Sequence, residues 1–187
     1  VPAIIEWPAV IKKGSINQVP SNTVDIYPTV LELAGVRLPP NQPVLDGVSL
    51  AGLIRGKKFQ RDKSMGVWDF PGKGRGRRAR AMLEALRTEQ KAGEQKPAPK
   101  EGLIEKKYPL DEFPGPSAWI VGDWKLHRVP AKNGTQINYR LYHLRRDQAE
   151  KLDLAAVQPE RLVRMKAELA AWQKSVLHSL NGGDYHD

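Results

Sequence analysis

The chain has 187 residues, no cysteine, and 30 Lys and Arg against 21 Asp and Glu, giving a formal net charge of +9. That length suits one medium domain, or one modest domain with an appended subdomain. Without cysteine there can be no disulfide, thiol nucleophile or thiolate metal site; no apolar run approaches the ~20 residues that span a bilayer; the charge excess admits a nucleic-acid, membrane-surface or polyanion partner.

Taken from the start, Pro2 to Trp7 is a short apolar run ended by Pro8, the pattern of a strand buried on both faces. Lys12 to Ser15 forms a turn and the polar stretch to Ser21 a loop. Pro28 is tolerated only in a first helical turn, so the next helix should start close to Asp25, with Asp25 or Thr23 near its cap. Ile26, Val30, Leu33 and Ala34 then share one face, and Gly35 supplies the stop. Asp46-Gly47 marks a tight turn before a short helical turn within residues 48–54.

Met65 to Phe70 reads as a second strand, closed by Pro71-Gly72. A basic Gly-rich run leads into a helix from about Arg77 to Lys91, with Met82, Leu83 and Leu86 as a narrow apolar stripe and Gly93 as its stop. Residues 93–107 hold few apolar groups and read as a mobile loop. Beyond Pro116 the pattern changes to hairpins. Ser117–Val121 and Trp124–Val129 flank Gly122-Asp123, and Asn133-Gly134 precedes a strand over residues 137–144. Alternation puts Trp124, Leu126 and Arg128 on one face of the middle strand, and Lys125, His127 and Val129 on the other. A last helix starts at Pro159; Leu162, Met165, Leu169, Trp172 and Val176 recur at helical spacing, and Asn181-Gly182-Gly183 ends it.

Five segments in order carry a resemblance. They are Val1 to Pro8; Thr23-Val-Asp-Ile-Tyr-Pro-Thr29; Leu45-Asp-Gly-Val-Ser-Leu50; Gly122-Asp-Trp-Lys-Leu126; and Tyr139 to Leu144 with Asp147 to Lys151. This succession resembles the part of a sulfatase that follows its active-site half. The family usually has Asp or Asn where His143 stands and proline where Gln148 stands. The resemblance implies part of an α/β core like that of alkaline phosphatase, followed by an α+β C-terminal subdomain with a small antiparallel sheet packed by a long terminal helix. On that division residues 1–70 belong to the core, 71–115 form a basic insertion, and 116–187 form the subdomain.

It also implies sulfate-ester hydrolysis, with a formylglycine nucleophile made from Cys or Ser and a calcium ion held by Asp and Asn. No Cys/Ser-x-Pro-x-Arg segment or paired-aspartate motif is present, so no catalytic or metal residue is carried over, and the expectation is a C-terminal portion that binds neither group and is inactive alone. Its partners would be the N-terminal catalytic half of the same protein and a sulfated small molecule or polysaccharide, in a periplasmic or secreted setting.

Four residues are candidate substrate contacts. Lys125 and His127 point the same way from one strand, as a pair that could face a sulfate or form an ordinary polar strand face. Trp68 and Asp69 end a strand and could meet a sugar by stacking and hydroxyl bonds, or pack beneath the insertion. Arg75, Arg77, Arg78 and Arg80 could grip a polyanion through guanidinium geometry, or form a solvated loop. The rival class is a basic nucleic-acid- or polyanion-binding module without catalysis, disfavoured by the lack of a reader motif; a third is a free-standing carbohydrate-binding or scaffold domain. Asn133-Gly134-Thr135 fits a glycosylation acceptor as well as a turn.

Overall fold

A computed structural model of the chain describes residues 3–11, 13–38, 42–70, 75–93, 107–131 and 136–184. The expected turn at Asn133-Gly134, the closing Pro71-Gly72 and the loop over residues 94–106 lie outside the described residues.

The centre is a four-stranded antiparallel sheet in the order β1-β2-β3-β4, with β1 Met65–Trp68, β2 Ser117–Val121, β3 Trp124–Pro130 and β4 Ile137–His143. The Gly122-Asp123 hairpin forms as expected, Gly122 taking a φ of 55° that favours glycine. One row of pairs crosses the whole sheet, Gly66 to Trp119, Trp119 to Leu126 and Leu126 to Leu141. This row faces the long C-terminal helix, here α4, Pro159–Leu180.

Leu126, Leu141, Met165 and Leu169 form the core, with Trp119, Trp124, Tyr139, Leu162 and Trp172 packed around it. Each fully buried aliphatic side chain is worth about 1.5–3 kcal/mol relative to exposure, so the sheet and helix stabilise each other. Polar groups at the seam are paired: Trp119 Nε1 donates to Glu168 Oε2 at 2.9 Å, and buried Gln173 Nε2 donates to Ser117 Oγ at 3.3 Å. Gly66 lies under Trp172 so closely that a Cβ there would stand 2.3 Å from the indole. The outer edge of β4 is covered as well. Leu141 donates its N–H to Asp153 Oδ1 and its carbonyl accepts from Leu154, so part of that edge is not left open for pairing.

The N-terminal part differs from expectation. Residues 3–7 form no strand, and Ile4 is 95% exposed. Pro2 lies outside the described residues. An apolar run becomes a strand only when a sheet edge receives its backbone, and no described strand pairs with it.

The helix near Asp25 forms as a 3-10 turn, Thr23–Asp25, running into α1, Ile26–Ala34, with Gly35 at a φ of 68° as its C-cap. Asp25 stands at the N-cap of α1, as expected; the 3-10 turn before it is capped by Asn22, whose Oδ1 accepts from Thr23 N, while Asp25 reaches back to Asn22 N in a capping box. Most of the expected apolar face of α1 is turned outward: Ile26 is 60% and Val30 55% exposed and Ala34 is exposed, while Leu33 is half-buried. Its inward side is instead polar, made of Asp25 and Thr29.

The short turn α2, Ala51–Ile54, forms where expected, with Ala51 buried. The basic helix α3 runs Arg75–Ala92. Its expected stripe is not buried, since Leu83 and Leu86 are more than half exposed; Met82's side chain is outside the description. So strongly charged a sequence is held by local contacts such as Arg80 Nε to Glu84 Oε1 at 3.1 Å. No helix among the described residues is long and apolar enough to cross a membrane.

Candidate functional site

Three groups of polar side chains stand out. The first lies on the sheet face opposite α4. Strand alternation brings Lys125 and His127 to that face, as expected, and Glu150 returns over them. Lys125 Nζ donates to Glu150 Oε1 at 2.6 Å, and His127 Nε2 stands 3.0 Å from Glu150 Oε2. The second contact is close, yet too poorly aligned to count as a hydrogen bond, and His127 Nε2 is otherwise without an acceptor among the described residues.

Glu150 reaches this position with a φ of 54°, a left-handed backbone that costs a non-glycine residue about 1–2 kcal/mol. Burial and the Lys125 charge push the His127 pKa below its ordinary value, against the pull of Glu150, with Arg140 adding to the depression. The neutral imidazole is therefore favoured over the charged one. Glu150 occupies the place an anion would take against this pair, so a sulfate would have to displace a carboxylate to reach Lys125.

The second group was not visible in the sequence. Asp25 is fully buried, and Arg61, whose side chain is 7% exposed, donates to its Oδ2 at 2.8 Å. Asn22 N donates to the same oxygen and Val48 N to Oδ1, while Thr29 Oγ1 donates to the Asp25 carbonyl and accepts from Leu50 N. Burial alone would raise the Asp25 pKa, but the Arg61 hydrogen bond, both backbone N–H groups and the Arg61 charge outweigh it and hold it below the usual carboxylate value. One carboxylate thus ties together α1, the segment entering α2 and the approach to β1. Gly47 is required beside it, because a Cβ there would fall 2.1 Å from the Val24 carbonyl oxygen. This knot is architectural.

The third group is a cleft of about 780 Å³ between residues 17–20, residues 58–63 and the turns after β2 and β4. A smaller cavity of about 350 Å³ adjoins Asn22, Arg61, Met65 and Trp172. Arg61 lines both.

The remaining sequence candidates do not meet at one place. Trp68 lies on the α4 face, its Nε1 donating to Pro114 O at 2.7 Å and its ring packed among Phe70, Phe113 and Trp172. That is the side of the sheet opposite Lys125 and His127. Asp69 follows it, exposed, with its N–H on Pro116 O. Arg80 is exposed and paired with Glu84; the side chains of Arg75, Arg77 and Arg78 are outside the description. Trp68, Asp69, Arg80, Lys125 and His127 line neither cavity.

No family model matches the chain. Among curated proteins, it is 41% identical over 75 residues to a sulfatase of Formosa agariphila, a stretch covering 38% of this chain and 14% of that protein. It is 42% identical over 62 residues to human steryl-sulfatase, covering 33% of this chain and 10% of that one. Human arylsulfatase D matches at 39% over 56 residues, 30% of this chain and 9% of its own. Over about a third of its length, this chain is related to sulfatases. It spans 14% or less of the length of these three relatives. Among solved structures, a phosphonate monoester hydrolase of Agrobacterium radiobacter overlays 86% of this chain and 25% of its own, at a TM-score of 0.36 and 19% identity.

A sulfatase relation raises the question of calcium and formylglycine. Among the described residues no three His, Asp or Glu side chains converge as ion ligands, and the sequence has no Cys/Ser-x-Pro-x-Arg segment in which a residue could be converted. The described residues thus offer no ligand set for the ion, and the sequence no segment for the nucleophile.

Proposed function

We propose that this chain is part of a longer sulfuric ester hydrolase of the arylsulfatase type. The observation that carries this reading is the 39–42% identity to sulfatases over segments of 56 to 75 residues. β2, β3, β4 and α4 are its C-terminal subdomain, whose sheet is extended at one edge by β1 from the stretch expected in the core. The segment up to α2 belongs to an α/β core like that of alkaline phosphatase, completed by the N-terminal catalytic half of the same protein. That half supplies the nucleophile and any metal ion, and the 187-residue chain alone turns over no sulfate ester. The setting is periplasmic or secreted.

Within this reading the basic α3 favours sulfated polysaccharides, since arginine side chains match sulfate oxygens by two parallel hydrogen bonds and exposed charge steers polyanions at low salt. Deleting residues 73–80 is then expected to raise the KM for a polymeric substrate at low salt and to leave that for a small aryl sulfate unchanged.

The decisive test is to express the full-length gene product and compare its hydrolysis of an aryl sulfate with that of the matching aryl phosphate. Preferential sulfate-ester cleavage by the full-length protein, with none by the 187-residue chain, is expected. An intact protein that cleaves no sulfate ester while binding nucleic acid with steep salt dependence would replace this reading with that of a basic binding module.

A further inference from the structure

We infer that the cleft between residues 17–20, residues 58–63 and the turns after β2 and β4 binds an acidic saccharide. Its volume, about 780 Å³, falls within the range of ordinary ligand sites.

The chemistry of its walls selects the ligand. Asn17, Gln18, Gln60 and Gln148 bring four carboxamides to one concavity. A carboxamide presents a donor and an acceptor on the same head, which matches a hydroxyl group's own dual capacity. Phe59, with Met65 and Ile120 at the floor, gives an apolar surface suited to the C–H face of a sugar ring. Asn17 Oδ1 already accepts from Val19 N at 2.8 Å, but a flat apolar ligand would desolvate the other three amides without pairing them, at a cost for each.

The charge balance adds the acidic requirement. Lys58, Arg61, Lys63 and Arg145 line the cleft against one carboxylate, Asp123. Arg145 Nε is 3.0 Å from Asp123 Oδ2, Arg61 is held by Asp25, and Lys63 donates to the Leu45 carbonyl. No described residue neutralises Lys58, which is exposed at the rim. Arg61 also retains a buried Nη2 without an acceptor among the described residues. Cations are thus left over exactly where hydroxyl-matching groups converge, and a saccharide bearing sulfate or carboxylate groups satisfies both.

The inference goes beyond sulfate-ester hydrolysis and is read out without turnover. Calorimetric titrations of the full-length protein would use a short sulfated oligosaccharide, the same oligosaccharide without sulfate, a uronic-acid oligosaccharide and a single-stranded oligonucleotide. The two acidic saccharides should bind, the neutral one more weakly. Lys58→Gln should weaken binding of both acidic saccharides about fivefold, and Gln148→Ala that of all three saccharides roughly threefold. Lys57→Gln, a neighbouring exposed charge that does not line the cleft, should leave affinities unchanged. Equal losses from Lys57→Gln and Lys58→Gln, tighter binding of the oligonucleotide, or no saccharide binding would each overturn the inference. Aryl sulfate turnover on the same preparations separates the two readings. Turnover without saccharide binding refutes the cleft alone, and binding without turnover refutes the hydrolase alone.

Discussion

The two ends of the chain solve the burial problem in opposite ways. From Ser117 to Leu180 the sheet and α4 share an apolar core in which Leu126, Leu141, Met165 and Leu169 exclude water. From Ala3 to Ile54 the inward groups are chiefly Asp25 and Thr29, while Ile4, Ile26 and Val30 face outward. The C-terminal unit is held by a non-directional effect that tolerates small errors of placement. The N-terminal unit is held by a directional polar knot and keeps an apolar face without a described partner. On the proposed reading, this outward apolar surface is what the rest of the longer protein would cover.

The largest expected effect comes from breaking the knot. Asp25→Ala leaves the Arg61 guanidinium buried without its counter-charge and removes acceptors from Asn22 and Val48, at a cost of about 3–5 kcal/mol. Amide exchange should accelerate at Val48 and Leu50 and stay slow in β3 and β4; equal acceleration throughout would make the two ends one cooperative unit. Leu141→Ala, in the other core, should cost about 2–5 kcal/mol in denaturant unfolding, with the protection pattern reversed. Gly66→Ala drives a Cβ into Trp172 and should cost about 1–3 kcal/mol through displaced packing, shifting the tryptophan fluorescence that Asp25→Ala leaves unchanged.

The smallest effect is a pH dependence on the open sheet face. The folded His127 pKa lies below the ordinary histidine value of 6.5. Above pH 6.5 the imidazole is neutral in both states and its contribution is fully present. As pH falls below that value the unfolded chain takes up the proton first, so stability declines until the folded pKa has been passed. His127→Gln should flatten that part of the stability profile; an unchanged slope would place its origin elsewhere.

The contrast also explains what could be read from the sequence. The Gly122-Asp123 hairpin, the faces of β3 and the stripe of α4 were legible because each is a local period whose partner lies within the same seventy or so residues. Gly35 was legible as a stop because a left-handed C-cap favours glycine. The strand expected at residues 2–7 and the buried face expected on α1 failed for one reason: periodicity says which residues share a face, and neighbours decide whether it is covered. Gln173 and Leu177 were missed on α4 although both are buried, because the reading followed a single narrow stripe.

The Asp25–Arg61 pair joins residues 36 positions apart, and no local pattern announces it. Asp25 was visible as a cap candidate of its helix; its burial and its reach to Val48 were not. Glu150 was hidden for a similar reason, since its reach to Lys125 depends on a left-handed backbone in a non-glycine residue. The cleft draws on separate stretches of chain, and only the fold assembles them.

The proposed longer hydrolase makes one central demand of this structure: the outward face of α1, with Ile26 and Val30 exposed, is where the rest of that protein packs. Denaturant unfolding of Val30→Ser, measured both in the 187-residue chain and in the full-length gene product, tests it directly. The exposed site should change stability by less than about 0.5 kcal/mol in the chain and, on the proposed reading, by about 1.5–3 kcal/mol in the full-length protein, through burial of the side chain there. Equal effects in the two settings would contradict the claim.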